Sequence, residues 1–99
     1  MKVTLQRRKF AAQFDIAASA TSNQAKDVLG KVLLVVGQKA QLEASNGETS
    51  IIVDCDFVHG DPGKVLLDPR RISPILKESS GDEVTIEVDG STIKITTAE

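Results

Sequence analysis

Hydrophobic residues recur along the chain with two different spacings. Near the N-terminus, Val3 and Leu5 alternate with polar neighbours, and this period of two predicts a strand over residues 2–6. Phe10 and Phe14 then lie four residues apart, a spacing that puts both rings on one face of a helix. The chain therefore begins with a strand that leads into an amphipathic helix.

The later elements follow from the same two spacings. Gly37-Gln38 and Asp89-Gly90 each separate two alternating runs, which is the pattern of a β-hairpin. An apolar run from Ser50 to Phe57 predicts a further strand after the first hairpin. The predicted elements after the first strand are a helix at residues 8–20, strands at 31–36, 40–45 and 50–57, a strand that opens at 64, a helix at 73–80, and a hairpin formed by residues 83–88 and a return strand through Ile93 and Ile95.

The start of the second helix depends on two prolines. Asp68 followed by Pro69 is a good cap and first-turn pair. Pro74 would then lie in the second turn, however, where a proline removes a backbone hydrogen bond. A later start avoids this loss, because Ser73 can serve as the cap and Pro74 as the first helical residue. We therefore predict a short helix over residues 73–80.

A segment of the chain is repeated. Residues 2–14 recur 62 positions later as residues 64–76, with four identical positions and three that are similar in kind, and the hairpin that follows recurs as well. The identical pairs are Lys2 and Lys64, Val3 and Val65, Leu5 and Leu67, and Arg8 and Arg70. The strand at 50–57 has no counterpart after the second hairpin.

This repeat predicts an α+β fold in a single domain over residues 1–99. Repeat one covers 1–58, a turn at 59–63 joins the repeats, and repeat two covers 64–99. Two helices are expected to pack on antiparallel sheets, with the last strand of the second repeat missing. The predicted core consists of Val3, Leu5, Phe10, Phe14, Leu34, Val36, Leu42, Val53, Ile72, Ile75, Leu76, Val84, Ile86, Val88, Ile93 and Ile95.

Composition and charge narrow the classes of function. The formal net charge is -2 and the only aromatic residues are three Phe, so the sequence indicates neither a strongly basic domain nor a surface that stacks single-stranded bases. No apolar run approaches the roughly 20 residues that span a bilayer, and the charged N-terminus does not resemble a signal peptide. A single cysteine excludes an intrachain disulfide, and the expected compartment is the cytoplasm.

One stretch carries residues that could perform chemistry. Asp54, Asp56, His59 and Asp61 fall within eight residues, and carboxylates with an imidazole can bind a metal ion. Alternate aspartates on a strand are also ordinary solvent-facing residues, and we favour this interpretation. Cys55 is expected to point the opposite way, towards the core, with no histidine partner evident. We therefore predict no metal, no cofactor and no catalytic activity.

Basic residues cluster at the start of both repeats' helical segments, at residues 7–9 and 70–71. Cations at a helix N-terminus oppose the helix dipole, and here the same unfavourable choice occurs twice. A shared external anion would explain it, whereas ordinary surface charge is the alternative. Asp15 is predicted to lie on the same exposed helix face as Arg8, where it would repel an anion.

Three segments together resemble one known family. They are Met1-Lys2-Val3-Thr4-Leu5 leading to Arg7, then Leu29-Gly30-Lys31-Val32-Leu33-Leu34, and finally the short strand, basic pair and apolar helix from Val65 to Leu76. In their order and spacing they resemble the N-terminal domain of the bacterial DNA polymerase III beta subunit, a DNA sliding clamp. One loop departs from the family, because it reads Ser22-Asn23-Gln24 where an arginine is common and leaves only Lys26 nearby.

The resemblance implies a non-catalytic domain in a ring around duplex DNA, with helices lining the hole and sheets outside. It also implies phosphate contacts that ignore base sequence and weaken with salt. The residues expected to contact DNA are Arg7, Arg8, Lys9, Lys26, Arg70, Arg71 and Lys77. The expected partners are duplex DNA, other clamp domains or copies of the same chain, and, within a longer chain, a replicative polymerase and clamp loader, but no membrane. The alternative is a single-domain relative that acts as a protein-interaction or self-assembly module without binding DNA.

Overall fold

Backbone hydrogen bonds organise the chain into antiparallel sheets and helices. The computed structural model describes residues 1–21 and 30–98, and all elements below lie within these ranges. In chain order they are β1 (Lys2–Gln6), α1 (Arg7–Ala18), β2 (Val32–Val36), β3 (Ala40–Ser45), β4 (Ser50–Cys55), β5 (Phe57–Gly60), β6 (Gly63–Leu67), α2 (Pro69–Glu78), β7 (Glu83–Asp89) and β8 (Thr92–Ala98). The predicted α+β fold is confirmed.

Each sheet combines strands from both repeats. The first sheet has the strand order β5-β1-β7-β8, and the second has the order β4-β3-β2-β6. The β1·β7 and β2·β6 pairings are equivalent under the repeat, because β1 corresponds to β6 and β2 corresponds to β7. The two repeats therefore interlock, in an approximately two-fold arrangement, and neither forms a sheet by itself.

The chain passes from the second sheet to the first at Asp56, so the strand predicted over residues 50–57 is divided. The following residues were predicted to be a turn at 59–63, and this prediction is wrong for His59 and Gly60. Both lie in β5 and pair with β1, and the connection to β6 shortens to two residues. A Cβ atom at Gly60 would come within 2.8 Å of the Val3 side chain, so the close approach of β5 to β1 requires glycine here.

The second helix begins at Pro69, and the predicted start near Ser73 is wrong. The Asp68 side chain accepts a hydrogen bond from the Arg70 amide at 3.0 Å, which makes Asp68 the N-cap. Pro74 lies inside the helix on its exposed side, where water can satisfy the carbonyl of Arg70 that a proline cannot bond. A capping bond and solvent exposure together make the interior proline tolerable.

The core lies between the helices and the inner faces of the sheets. Phe10 and Phe14 are fully buried and pack with ring centroids 5.9 Å apart at an interplanar angle of 51°. Burying one such side chain contributes about 1.5–3 kcal/mol. The predicted core residues that are buried are Val3, Leu5, Phe10, Phe14, Leu34, Val36, Leu42, Ile72, Leu76, Val84 and Ile86, and those that are partly buried are Val53, Val88 and Ile95.

Two predicted core residues are not in the core. Ile75 is 39% exposed and Ile93 is 40% exposed, so the prediction is wrong for both. Ile93 belongs to β8, whose outer edge has no neighbouring strand in the described part of the chain. The periodicity identified the correct face of each element, but burial also requires a neighbour to cover that face.

Candidate nucleic-acid interface

Charge is distributed unevenly between the helices and the strands. The helices hold six of the twelve basic residues but only two of the fourteen acidic ones. The residues outside the helices therefore include six basic and twelve acidic ones, so this part of the chain is more negative than the chain as a whole, whose net charge is -2. The clusters of basic residues that the sequence analysis identified therefore lie on the two helices.

The exposed surface of α1 and α2 is called the helix-pair surface below. On α1 the inward positions are buried, whereas the outward positions, three to four residues apart, are exposed. The same holds for α2, with the equivalent residues 62 positions later. The exposed residues of this surface are Arg8, Lys9, Ala12, Asp15 and Ile16 of α1 and Arg70, Arg71, Pro74, Ile75, Lys77 and Glu78 of α2. Arg8 and Arg70 therefore occupy equivalent, exposed positions on the two helices.

Arg7 is not part of this surface, which corrects its prediction as a DNA contact. Its side chain is buried, with only 7% of the residue exposed. The guanidinium donates from Nη1 to the Leu76 carbonyl at 2.7 Å and from Nε to the Gly81 carbonyl. These carbonyls lie near the C-terminal end of α2, where a cation is favourable for the helix dipole. The position of Arg7 at the start of α1 is thus explained inside the chain, without an external anion.

Asp15 and Lys77 lie at equivalent positions of the two repeats and form an ion pair. The Lys77 Nζ is 3.3 Å from the Asp15 Oδ2, so the pair links α1 and α2 across the two-fold arrangement. Both side chains remain largely exposed. Asp15 was predicted to be an unfavourable residue on an anion-binding face, and the structure shows which cation it neutralises.

The other predicted contacts differ in their ionic partners. Lys9 pairs with Asp56 at 3.3 Å, and the Arg70 Nε lies 3.9 Å from the Asp68 carboxylate. No ion pair of Arg8 or Arg71 is found within residues 1–21 and 30–98. Lys26, the remaining predicted contact, lies outside the described residues.

The stretch from Asp54 to Asp61 contains the residues that were considered for metal binding or nucleophilic chemistry. Cys55 is buried at the end of β4, and burial, followed by the charges of Asp54 and Asp56, raises the pKa of its thiol to about 11. A thiol with this pKa stays protonated at neutral pH and is a poor nucleophile. Within the described ranges, no group of three or more His, Cys, Asp or Glu side chains is placed to hold a metal ion.

Neither α1 nor α2 is long and apolar enough to cross a bilayer, and the described residues contain no other helix of that kind.

The fold and the helix-pair surface together define the class of the protein. Two interlocked repeats, two sheets and an adjacent pair of basic helices are the features of a DNA-clamp domain. The family model for the N-terminal domain of the DNA polymerase III beta subunit matches residues 1–99, and the chain belongs to this family. It is a family of non-catalytic processivity factors. No curated protein matches the chain by sequence.

Solved structures of beta subunits share this fold. The Pseudomonas aeruginosa DNA polymerase III subunit beta superposes with a TM-score of 0.90 at 23% identity and matches 98% of this chain. The Thermotoga maritima beta subunit gives 0.87 at 17% identity over 98% of the chain, and the Caulobacter crescentus protein gives 0.88 at 18% over 99%. The chain spans 27% of the length of each of these three proteins.

Proposed function

We propose that this chain acts as a sliding-clamp domain that contacts duplex DNA through the helix-pair surface, as part of a multi-domain ring. The observation that carries the proposal is the equivalent, exposed placement of Arg8 and Arg70 on adjacent helices. Two cations in equivalent positions suit a ligand that presents the same group repeatedly, as the phosphates of a duplex do.

The chemistry of this surface fits contact without sequence readout. Arginine and lysine side chains bind phosphate oxygens by charge, and such contacts position a protein on DNA without identifying bases. The described helices present no aromatic residue other than the two buried phenylalanines of α1, so base stacking has no platform there. A surface with few cations on an acidic molecule binds weakly enough to move along the duplex.

The predicted contacts have different roles in this proposal. Arg8, Arg70 and Arg71 reach phosphates directly, and Lys9 and Lys77 do so after exchanging a carboxylate for a phosphate. Lys26 is retained as a further contact from the sequence alone. Arg7 is proposed to act only indirectly, because it holds the end of α2 beside the start of α1.

The partners and the compartment follow from the same role. In a ring, the chain would contact duplex DNA and further clamp domains, and within a longer protein it would serve a replicative polymerase and clamp loader. A clamp of this kind works in the cytoplasm, where bacterial DNA is replicated. Membership of a clamp family does not favour the alternative of an interaction module without DNA contact.

Fluorescence anisotropy with a labelled duplex, measured over a series of salt concentrations, tests the proposal. We expect binding at low salt that is independent of base sequence, with log affinity falling linearly against log salt at a slope of about −0.9 for each neutralised phosphate. The Arg8→Glu/Arg70→Glu variant should lose this binding and keep its melting temperature, because both side chains are exposed.

A matched control separates this surface from overall charge. Lys39→Glu/Lys64→Glu changes the net charge by the same amount, at exposed positions of the strand region and away from the helices. The control should bind DNA more strongly than the arginine variant. Equal loss in both variants, or no binding of the parent chain at low salt, would reject the helix-pair surface as a DNA contact of the isolated chain.

A further inference from the structure

The turn between β3 and β4 contains an asparagine followed by a glycine. Residues 46–49 connect the two strands, and all four are exposed. Gly47 has a φ of 94°, a backbone conformation that favours glycine over residues with a side chain. The main-chain nitrogen that follows Asn46 is therefore shielded from the Asn46 side chain by no Cβ atom of its own residue.

Two hydrogen bonds fold the Asn46 side chain along the main chain that follows it. The Asn46 Oδ1 accepts from the backbone amides of Glu48 at 2.9 Å and Thr49 at 2.8 Å. Both donors lie beyond Gly47 in the chain, so the side-chain carbonyl lies alongside the peptide bond between Asn46 and Gly47. The Cγ atom of Asn46, an acyl carbon, is thus held on the side of the Gly47 nitrogen.

The other polar atoms of the turn suit an attack of the Gly47 nitrogen on this carbon. The Gly47 amide donates to the Ser45 Oγ at 3.1 Å, and this hydroxyl can relay the amide proton to water. The two donors on Oδ1 stabilise the negative charge that develops on this oxygen when Cγ becomes tetrahedral. Within residues 1–21 and 30–98, no hydrogen bond holds the Asn46 Nδ2, and the residue is exposed, so solvent can protonate the leaving nitrogen.

We propose that Asn46 is a site of spontaneous deamidation in the folded chain and that the turn promotes the reaction. The Gly47 nitrogen forms a bond to Cγ, and its proton reaches Nδ2 through solvent. The Cγ–Nδ2 bond then breaks, and the nitrogen leaves as ammonia. One water molecule opens the resulting succinimide at either carbonyl, which yields aspartate or isoaspartate, and no atom is oxidised or reduced. The proposal is independent of any contact with DNA.

The modification changes both the charge and the backbone of the turn. Either product adds one carboxylate, so the net charge of -2 becomes -3. Isoaspartate also inserts a methylene group into the main chain between residues 46 and 47, so the bonds from Glu48 and Thr49 lose their acceptor geometry. Ser45 and Ser50 form the pair of the β3–β4 ladder nearest the turn, and this pair should loosen first.

Incubation of the purified chain in mildly alkaline buffer, followed by ion-exchange chromatography and peptide mass spectrometry, tests the proposal. We expect an acidic species to accumulate, with the replacement of an amide by a carboxyl group mapped to Asn46 and with isoaspartate identified by fragmentation. Asn23, which precedes Gln24, is the only other asparagine in the sequence and provides an internal reference. Asn46 should convert at least about tenfold faster than Asn23, a small part of what the orientation of a nucleophile can contribute.

Two serine variants provide the controls. Asn46→Ser keeps an oxygen that can cap the turn but has no carboxamide, so it should form no acidic species on this time scale. Asn23→Ser should form the species at the rate of the parent chain. Equal rates at Asn46 and Asn23, or an acidic species that persists in Asn46→Ser, overturns the proposal. Faster conversion of Asn46 in urea, where the turn is unfolded, rejects the contribution assigned to the turn.

Discussion

Asp15 and Lys77 occupy the same position in the two repeats, 62 residues apart, and their side chains meet at 3.3 Å between α1 and α2. If both repeats had the same charged residue at this position, two like charges would lie side by side near the approximate two-fold axis that relates the repeats. Opposite charges at equivalent positions instead join the helices. They also remove a cation from the centre of the helix-pair surface and so limit its affinity for phosphate.

Asp15→Asn should therefore tighten DNA binding, because it leaves the Lys77 ammonium available to a phosphate. Exposed ion pairs are worth up to about 1 kcal/mol, so we expect an affinity gain of up to about fivefold and a loss of at most about 1 kcal/mol in the free energy of unfolding. Anisotropy titrations should also show a steeper salt dependence, by about 0.9 in the log–log slope.

Asp89→Asn is the matched control for this effect. It removes the same charge from an exposed position at the end of β7, away from the helices. A gain of equal size in both variants would show that net charge, rather than the release of Lys77, determines the affinity.

Arg7 should matter for stability far more than its exposed neighbour. Arg7→Met leaves the buried carbonyls of Leu76 and Gly81 without their donor, and each unsatisfied group costs about 1–3 kcal/mol. We expect chemical denaturation to show a loss of about 3 kcal/mol for Arg7→Met. Arg8→Met, which changes an exposed residue, should stay within ~0.5 kcal/mol of the parent chain. Similar losses in both variants would contradict the role assigned to Arg7.

The difference between Arg7 and Arg8 marks the limit of what the sequence could predict. Periodicity and the repeat were sufficient for the strands, the helices and the exposure of Arg8 and Arg70. The burial of Arg7 depends on where the end of α2 lies, and this is a tertiary relationship. One signal was present nevertheless, because Pro69 stands at the equivalent position of repeat two and Arg7 therefore has no basic counterpart.

Local composition misled the prediction at two other places for physical reasons. His59 and Gly60 look like turn residues, yet Gly60 lies in a strand because β5 approaches Val3 too closely for any side chain. Pro74 looks like a helix start, yet the Asp68 cap begins the helix earlier and the exposed position tolerates the missing hydrogen bond. In each case a contact made elsewhere in the fold overrode the local preference.

Pro69 and Pro74 both lie in α2, and replacing each of them by alanine should affect stability differently. Pro74→Ala should stabilise the protein by on the order of 1 kcal/mol, because it restores the hydrogen bond to the Arg70 carbonyl, offset by a more flexible unfolded chain. Pro69→Ala, at the first helical position, restores no such bond and should be neutral or slightly destabilising. Thermal unfolding of the two variants provides the measurement, and equal shifts would mean that α2 begins later than Pro69.

Cys55 should make the stability of the protein depend on pH in the alkaline range. Its pKa is raised from 9.0 to about 11 in the folded chain, mainly by burial, so the folded state keeps a proton that the unfolded state releases. The stability associated with this proton is complete below pH 9.0 and is lost as the pH rises towards about 11. Chemical denaturation at several pH values should therefore show a steeper decline for the parent chain than for Cys55→Ala. The two proteins differ only at this residue, and the chain contains no tyrosine to confuse the comparison. Parallel declines would show that the thiol already ionises normally in the fold and that β4 does not shield it from water.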